Sequence, residues 1–168
     1  TEPVETMPEP EPVSFNAPAE MRGAFLLPGE DFLSTKDTSE AALRAEVDKS
    51  FAGAKKLEIN SVIVGTSFED KVIYQTKDAP ELSSDFDLLR YITDKAREEG
   101  FYTYAIFDAS LYESRQSVAA ALMAVGAGSS SKLTQNLREF AERYALDGIL
   151  IDGYQNQGAQ SSYSDYIK

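Results

Sequence analysis

The stretch ALDGILIDGY, residues 145–154, decides how this sequence is expected to fold. Its central run GILI, residues 148–151, is short, apolar and bounded by aspartates, which is typical of a buried strand in a parallel sheet. Asp147 precedes the run in an Asp-Gly turn, so we interpret it as a structural residue. Asp152 follows the run, where the ligand sites of parallel α/β folds lie. Asp152 is therefore either a catalytic carboxylate or a polar residue that only closes a strand.

Three earlier apolar runs predict three further strands. They are MRGAFLL at 21–27, SVIVG at 61–65 and YTYAIFD at 102–108. Apolar residues at steps of three and four between these runs predict helices, so strands and helices alternate. This alternation indicates an α/β domain whose parallel sheet is covered on both faces. A short extended excursion is also predicted at KVIYQT, residues 71–76.

Each predicted helix is recognised by its apolar face and its end signals. The first carries Leu43, Val47, Phe51, Ala54 and Leu57, with Asp37 or Thr38 as its cap. The second begins near Ser84, carries Leu89, Ile92 and Ala96, and is stopped by Gly100. A short helix is predicted over 117–125, and a longer one carries Leu133, Leu137, Phe140, Ala141 and Tyr144 with a cap near Ser130 or Ser131.

The composition excludes several kinds of function. The 168-residue chain has 16 Lys and Arg against 28 Asp and Glu, and its net charge of -12 disfavours nucleic acid and anionic membranes as partners. Cys and His are both absent, which excludes thiolate metal sites and any mechanism with a histidine base. We expect no metal and no cofactor, so acid–base chemistry would depend on Asp, Glu, Tyr or Lys. No apolar run is long enough for a membrane span.

The chain divides into a tail and one domain. Residues 1–19, TEPVETMPEPEPVSFNAPA, are rich in Pro and Glu, which predicts a disordered, extended linker. Such a linker often joins a folded domain to a membrane anchor or a neighbouring domain, although a terminus without a role is the alternative. Residues 20–168 are expected to form the α/β domain.

Carboxylates follow all four predicted strands, and two of them form the candidate catalytic pair. Asp108 ends the third strand and Asp152 ends the fourth. Neighbouring strands are about 4.8 Å apart, so the two carboxylates would be close together if these strands are neighbours. Glycosidic bond cleavage needs such a pair, about 5–5.5 Å apart for retention and about 6.5–9.5 Å apart for inversion. The simpler interpretation, that polar residues end strands where the chain emerges into water, stays open at each position.

Four residues are candidates for substrate binding: Arg22, Glu69, Tyr112 and Tyr154. Arg22 is predicted to lie inside the first strand, where a buried guanidinium needs either substrate or an interior carboxylate as partner. Glu69 follows the second strand, and Tyr154 could stack on a sugar ring.

Four segments together resemble a known family. EMRGAFLLPG (20–29), LEINSVIVGTS (57–67), FDLLRYITDKAREEGFYTYAIFD (86–108) and FAERYALDGILIDGY (140–154) resemble, in order, the first four βα units of the glycoside-hydrolase-like family 10 proteins and neighbouring barrel families. Those are bacterial, mostly extracytoplasmic (β/α)8 barrels associated with hydrolysis of polysaccharide or cell-wall glycan. The resemblance implies half of such a TIM-like barrel, with four parallel strands in the order 1-2-3-4, a glycan ligand and an extracytoplasmic location.

The most specific part of the resemblance is the fourth-strand segment. Asp152 and Tyr154 match its Asp-Asp-Tyr ending, while Gly153 stands at the second aspartate. Tyr104, Ala105, Ile106 and Asp108 stand where the third strand of the family usually has His-Ala-Trp-x-Asn, and Phe25 stands at an expected Trp.

Two functions are compatible with these residues. The first is a glycoside hydrolase, or its N-terminal half, with Asp152 as acid/base or nucleophile. The second is a non-catalytic module, derived from a barrel, that binds glycan or protein partners. A flavodoxin-like sandwich with a phosphate ligand is a third possibility, but no glycine-rich loop follows the first strand. A half-barrel leaves two unpaired edges, so we expect closure by a homodimer or a C-terminal half, and no appreciable glycosidase activity from this chain by itself.

Overall fold

The computed structural model describes residues 18–35, 37–112 and 132–152. In chain order the elements are β1 (Gly23–Leu26), α1 (Glu40–Lys56), β2 (Ser61–Gly65), β3 (Ser67–Phe68), β4 (Lys71–Val72), α2 (Leu88–Glu98), β5 (Tyr102–Asp108), a 3-10 turn (Ala109–Leu111), α3 (Lys132–Arg143) and β6 (Gly148–Asp152). The main sheet has the order β1-β2-β5-β6, and every neighbouring pair is parallel. The predicted α/β class and sequential strand order are confirmed, and the arrangement is that of a partial TIM-like barrel.

The cap of the first helix lies one residue after Thr38 and two residues after Asp37, the two predicted caps. Ser39 is its N-cap, and the Ser39 hydroxyl accepts a hydrogen bond of 3.4 Å from the Ala42 N–H. Asp37 instead accepts from the Ser39 N–H at 2.9 Å, and so orders the residue that caps the helix. The predicted apolar face is buried except at Leu57, which is 73% exposed. That prediction was wrong because the helix ends at Lys56, so Leu57 no longer follows the helical face.

The second helix begins four residues after the predicted start at Ser84. Asp87 is its N-cap, and its Oδ1 accepts from the Arg90 N–H at 3.0 Å. Gly100 follows the helix with a φ of +80°, a conformation that glycine adopts without strain, so the predicted stop is confirmed. Leu89, Ile92 and Ala96 are fully buried, as their spacing predicts.

Most residues of the predicted apolar face of the third helix, α3, are buried in the core. Leu133, Phe140 and Tyr144 are buried, whereas Ala141 is exposed and Asn136 is buried beside them. The predicted cap at Ser130 or Ser131, the short helix over 117–125 and Tyr154 all lie outside the described residues, as does the predicted linker up to residue 17.

The chain between β2 and α2 forms a long excursion at the carboxyl end of the sheet. β3 and β4 pair antiparallel in a two-stranded ribbon, so only the first two residues of the predicted extended segment 71–76 are strand, and they form the second strand of a hairpin. Residues 73–87 then lead to α2, and Ile73 and Tyr74 are buried in the core. This excursion contributes to the core and also to the sites described below.

Within the described ranges, the helices lie on one face of the sheet. Val62, Val64, Ala105 and Phe107 point to the helices and are fully buried. The opposite face carries Phe25, which is 55% exposed, and its register partners Ile63 and Tyr104; Leu150, in register with Ile106, lies on the same face. The described residues do not show the predicted cover on both faces. An apolar run has the same pattern whether its second face meets a helix or the interior of a barrel. None of the helices in the described ranges is long and apolar enough to cross a bilayer.

Candidate functional site

Asp108 and Asp152 lie together at the carboxyl ends of two adjacent strands. The parallel register of β5 and β6 makes them direct partners, so their Cα atoms are opposite each other. In-register partners project to the same face of a sheet, and neighbouring strands are about 4.8 Å apart. Because Phe107 points to the helices, Asp108 and Asp152 project to the uncovered face. The two carboxylates therefore share one rim and one face.

The Asp108 carboxylate is held by three hydrogen bonds. Its Oδ1 accepts from the Ser110 N–H at 3.0 Å and from the Ser110 hydroxyl at 2.6 Å. Its Oδ2 accepts from the Ser67 hydroxyl at 3.2 Å. The first of these bonds caps the 3-10 turn that follows β5, while Ser67 belongs to β3. Asp108 is thus fixed between its own strand end and the excursion that follows β2.

Asp152 is the last residue of β6 and is exposed. Its strand is the outer one of the described sheet, and Leu150 and Ile151 beside it are 40% and 39% exposed. The rim therefore combines Asp108, whose carboxylate lies between β5 and β3, with Asp152, which is exposed on the outer strand of the described sheet.

Asp147 lies at the opposite end of the sheet. Its Oδ2 accepts from the Thr103 N–H at 2.8 Å, and its own N–H donates to the Thr103 carbonyl at 2.8 Å. These two bonds fix the start of β6 against the start of β5. Asp147 thus has the structural role that its position before the strand predicts.

Arg22 also lies at the amino end of the sheet, away from Asp108 and Asp152. It precedes β1, and its side chain is 50% exposed. Its Nε donates to the Glu58 carbonyl at 2.9 Å, and its NH1 pairs with Glu20 at 2.8 Å. The prediction that Arg22 is buried inside the first strand was wrong, because the strand begins at Gly23. The structure does not bring Arg22 together with the paired carboxylates.

Glu69 lies at the same end of the sheet as the rim. It is exposed at the tip of the β3–β4 hairpin with a φ of +54°. Phe68, beside it, packs on Gly29 after β1, where an added Cβ would meet Phe68 at 2.8 Å. The hairpin is therefore pressed against the loop after β1, and Glu69 is presented to solvent at the tip.

Tyr112 projects away from the rim, to the helix-covered side of the sheet. Its ring stacks on Phe107 with centroids 5.1 Å apart and planes 8° apart. Its hydroxyl forms a 2.5 Å hydrogen bond with the hydroxyl of Tyr74. Burial raises the pKa of both tyrosines above the ordinary value, so both remain neutral at physiological pH.

Tyr112 and Tyr74 line a cavity of about 580 Å³ between the 73–87 segment and α3. We call it the tyrosine cavity and define it by Tyr74, Tyr112, Asn136, Phe140, Arg143 and Tyr144. This cavity was not predicted from the sequence, because its two walls are about sixty residues apart along the chain. One signal was present, since Asn136 is a polar residue on the apolar stripe of a predicted helix.

Comparisons with known proteins add little to this geometry. No family model matches the sequence, and no curated protein matches it. One solved structure that it is similar to is the crystal structure of a bacterial fucosidase with a monovalent iminocyclitol inhibitor, with 16% sequence identity and a TM-score of 0.49. The match covers 84% of this chain and 44% of that chain, so the chain spans less than half of the length of that protein. A likeness of this degree concerns the path of the backbone and says nothing about a substrate.

Proposed function

We propose that this chain is a glycoside-hydrolase-like domain that engages bacterial cell-wall glycan or another polysaccharide at the Asp108–Asp152 rim. The observation that carries the proposal is the register of β5 and β6, which makes the two aspartates direct partners at the carboxyl ends of adjacent strands. Parallel α/β folds bind their ligands at this end of the sheet. A rim with two carboxylates and an adjoining apolar face offers hydrogen-bond acceptors for sugar hydroxyls beside a surface for the C–H faces of sugar rings.

The two carboxylates differ in a way that suits different roles. Glycosidases use one carboxyl group as acid or base and a second as nucleophile or as the base that activates water. The three hydrogen bonds on Asp108 suit a group that must keep one orientation. Asp152 is the group that we assign as acid/base or nucleophile, on the exposed side of the pair.

We further propose that the chain by itself has no appreciable glycosidase activity. Barrel enzymes take their catalytic groups from several of eight strand ends, and the described sheet supplies four. Asp152 is exposed on the outer strand, and the described ranges include no enclosing wall that would position a sugar there and exclude solvent. Closure of the sheet by a second copy of the chain, or by further strands of a barrel, would supply that wall. An extracytoplasmic location, as for bacterial proteins that act on the cell envelope, belongs to the same proposal.

A second candidate function is a non-catalytic module that binds glycan or a protein partner. It is favoured by the uncovered sheet face, where Phe25 is 55% and Leu150 is 40% exposed. Tyr104 and Ile106 add largely apolar, half-buried surface to this face. In this case the rim would bind its ligand without turnover even after closure of the sheet.

The test measures binding and turnover together on the purified chain. Insoluble peptidoglycan, chitin, cellulose and xylan are used in pull-down assays, with release of reducing sugar and oligomeric state measured in parallel. We expect binding to at least one glycan, weakened by Asp108→Asn and by Asp152→Asn, and no sugar release by the monomer. Asp85→Asn, an exposed loop carboxylate, is the matched control.

Every other result of these binding and turnover assays supports or refutes a specific part of the proposal. Binding that neither rim variant weakens would refute the rim as the site, and binding to none of the glycans would refute the glycan ligand. Sugar release by a monomer, abolished by Asp152→Asn, would refute the inactivity of the isolated chain while supporting the rim. Sugar release by a dimer alone would support a barrel closed between two copies.

A further inference from the structure

We propose that the tyrosine cavity is a second binding site, separate from the rim, and that it takes a small hydroxyl-rich ligand such as a sugar or a polyol. The cavity lies on the helix-covered side of the sheet, whereas Asp108 and Asp152 project to the uncovered face. This second site is inferred from the residues of the cavity alone and does not depend on the proposed function of the rim.

Asn136 gives the strongest indication that the cavity receives a ligand. The residue is 7% exposed and lines the cavity, and its Nδ2 has no hydrogen-bond partner in the described part of the chain. A buried amide without a partner loses its hydration and gains nothing in return. Asn136 also interrupts the apolar stripe of α3, between Leu133 and Phe140, where an apolar side chain would pack at no such cost. A ligand oxygen accepting from Nδ2 would remove the penalty.

The tyrosine hydroxyls add donor and acceptor capacity on the opposite wall. Tyr74 and Tyr112 share one hydrogen bond of 2.5 Å, in which one hydroxyl donates to the other. Each hydroxyl carries one donor and two acceptor positions, so the shared bond and a further bond from Thr76 to Tyr112 do not use their full capacity. Tyr144 differs, because its hydroxyl donates to Asp87 at 2.7 Å and accepts from the Gln75 N–H at 3.3 Å. Tyr144 therefore holds the wall in place, while the Tyr74–Tyr112 pair is available for recognition.

The charges around the cavity disfavour a ligand of a single strong charge. The lining includes two cations and three carboxylates: Lys77 and Arg143, and Asp78, Glu81 and Glu139. Some of this capacity is used internally, since Arg143 donates to the Gln75 carbonyl and Glu81 accepts from the Thr76 N–H at 2.7 Å. Phosphate sites are instead built from an excess of donors and positive charge. Hydroxyl groups, which donate and accept, match a lining of mixed sign.

The size and the apolar part of the cavity fit the same class of ligand. Its volume of about 580 Å³ lies within the range typical of small-molecule sites. Phe140 and Tyr144 provide an aromatic wall next to the polar groups. A sugar ring has C–H faces and a polar rim, so it can contact the aromatic wall while its hydroxyls reach Asn136 and the tyrosine pair.

The test uses nuclear magnetic resonance titration of the ¹⁵N-labelled full chain. The probes are glucose, N-acetylglucosamine and myo-inositol, with inorganic phosphate as the comparison anion. We expect at least one of the three hydroxyl-rich probes to shift amide resonances of residues 74–84 and 136–144. Asn136→Leu is expected to weaken that probe at least about tenfold, since it removes the recognising amide. Gln135→Leu, an exposed neighbour on the same helix, is expected to leave its affinity unchanged.

Two further variants keep the test decisive. If Asn136→Leu does not fold, Tyr74→Phe removes the hydroxyl pair while keeping the aromatic ring, and it is expected to weaken the same probe. Asp152→Asn is expected to leave the resonance shifts of the cavity residues unchanged. A failure of the proposed rim function is thereby distinguished from a failure of the proposed cavity site. The proposal is overturned if none of the three probes shifts these resonances up to its solubility limit, if Asn136→Leu and Tyr74→Phe both fold and bind as the native chain does, or if inorganic phosphate alone binds.

Discussion

The hydroxyl of Tyr144 donates a 2.7 Å hydrogen bond to Oδ2 of Asp87, so the residue after α3 is joined to the residue that caps α2. The other oxygen of Asp87 accepts from the Arg90 N–H at 3.0 Å. One carboxylate therefore begins a helix and connects two layers of the structure that are far apart in sequence. Burial raises the pKa of Tyr144, and the hydrogen bond to Asp87 raises it further.

Tyr144→Phe is expected to destabilise the fold by about 1–3 kcal/mol, because it removes a buried hydrogen bond to a charged group and leaves the ring in place. The measurement is the free energy of unfolding in urea. Tyr102→Phe is the control, since the Tyr102 hydroxyl makes no hydrogen bond to the described residues. A double-mutant cycle with Asp87→Asn should show coupling between the two positions. Additive effects would mean that the bond does not contribute to stability.

Alkaline pH should unfold the protein through its buried tyrosines. Burial raises the pKa of Tyr74 far above the ordinary 10.0, and its partner Tyr112 adds to the rise. A group whose pKa is higher in the folded state stabilises the fold fully below its unfolded pKa, and this contribution is lost as the pH rises further. Stability should therefore fall above about pH 10. Tyr74→Phe should make that fall less steep in urea unfolding measured at successive pH values, and an unchanged slope would contradict this explanation.

Acid pH should weaken the attachment of the loop after β1 to α1. Burial raises the pKa of Glu46, but hydrogen bonds from Thr35 and Ser34 together outweigh burial and hold the pKa below its ordinary value. A lowered pKa gives stability that is present above the unfolded pKa of about 4.3 and is lost as the pH falls through the folded value. Glu46→Gln should thus destabilise at neutral pH, with the difference from the native chain narrowing below about pH 4.

The control for the Glu46 prediction is Glu98→Gln, which removes the same charge from an exposed position on α2. It should change the free energy of unfolding at neutral pH by less than Glu46→Gln does. Equal losses from the two variants would show that net charge, rather than the hydrogen bonds of Ser34 and Thr35, determines the effect.

Two glycines should respond in opposite directions to the same substitution. A Cβ on Gly65, in β2, would lie 2.8 Å from Cδ of Pro28 and 3.2 Å from Cδ2 of Leu27, so Gly65→Ala should destabilise by about 1–3 kcal/mol. A Cβ on Gly53, within α1, meets nothing within 4 Å, so Gly53→Ala should stabilise by about 0.5–1 kcal/mol through helix propensity. Thermal unfolding of both variants is the measurement, and equal shifts in one direction would contradict the packing at Gly65.

The sequence predicts the helices and strands better than it predicts the contacts between distant segments. Residues 102–108 were predicted as a strand with the bounds observed, since the apolar run and the preceding Gly100 are local signals. The start of α2 was predicted near Ser84, but Asp87 caps the helix, because serine and aspartate are both good caps and the apolar spacing does not choose between them. The carboxylate pair was predicted because parallel strands bring their carboxyl ends to one rim. The tyrosine cavity depends on contacts between distant segments, which no local pattern specifies.

The strand order β1-β2-β5-β6 has a consequence for how the chain folds. In the main sheet, each strand pairs with the strand of the preceding βα unit. A strand can therefore pair as soon as it is synthesised, without a partner from a distant part of the chain. Loop-closure entropy then stays modest at each step, and the sheet can grow from β1 toward β6 in the direction of synthesis. At every stage the unpaired backbone N–H and C=O groups of the last strand formed are available to pair with the following strand. The outer edge of β6 is thus the growing edge of a sheet that assembles one unit at a time.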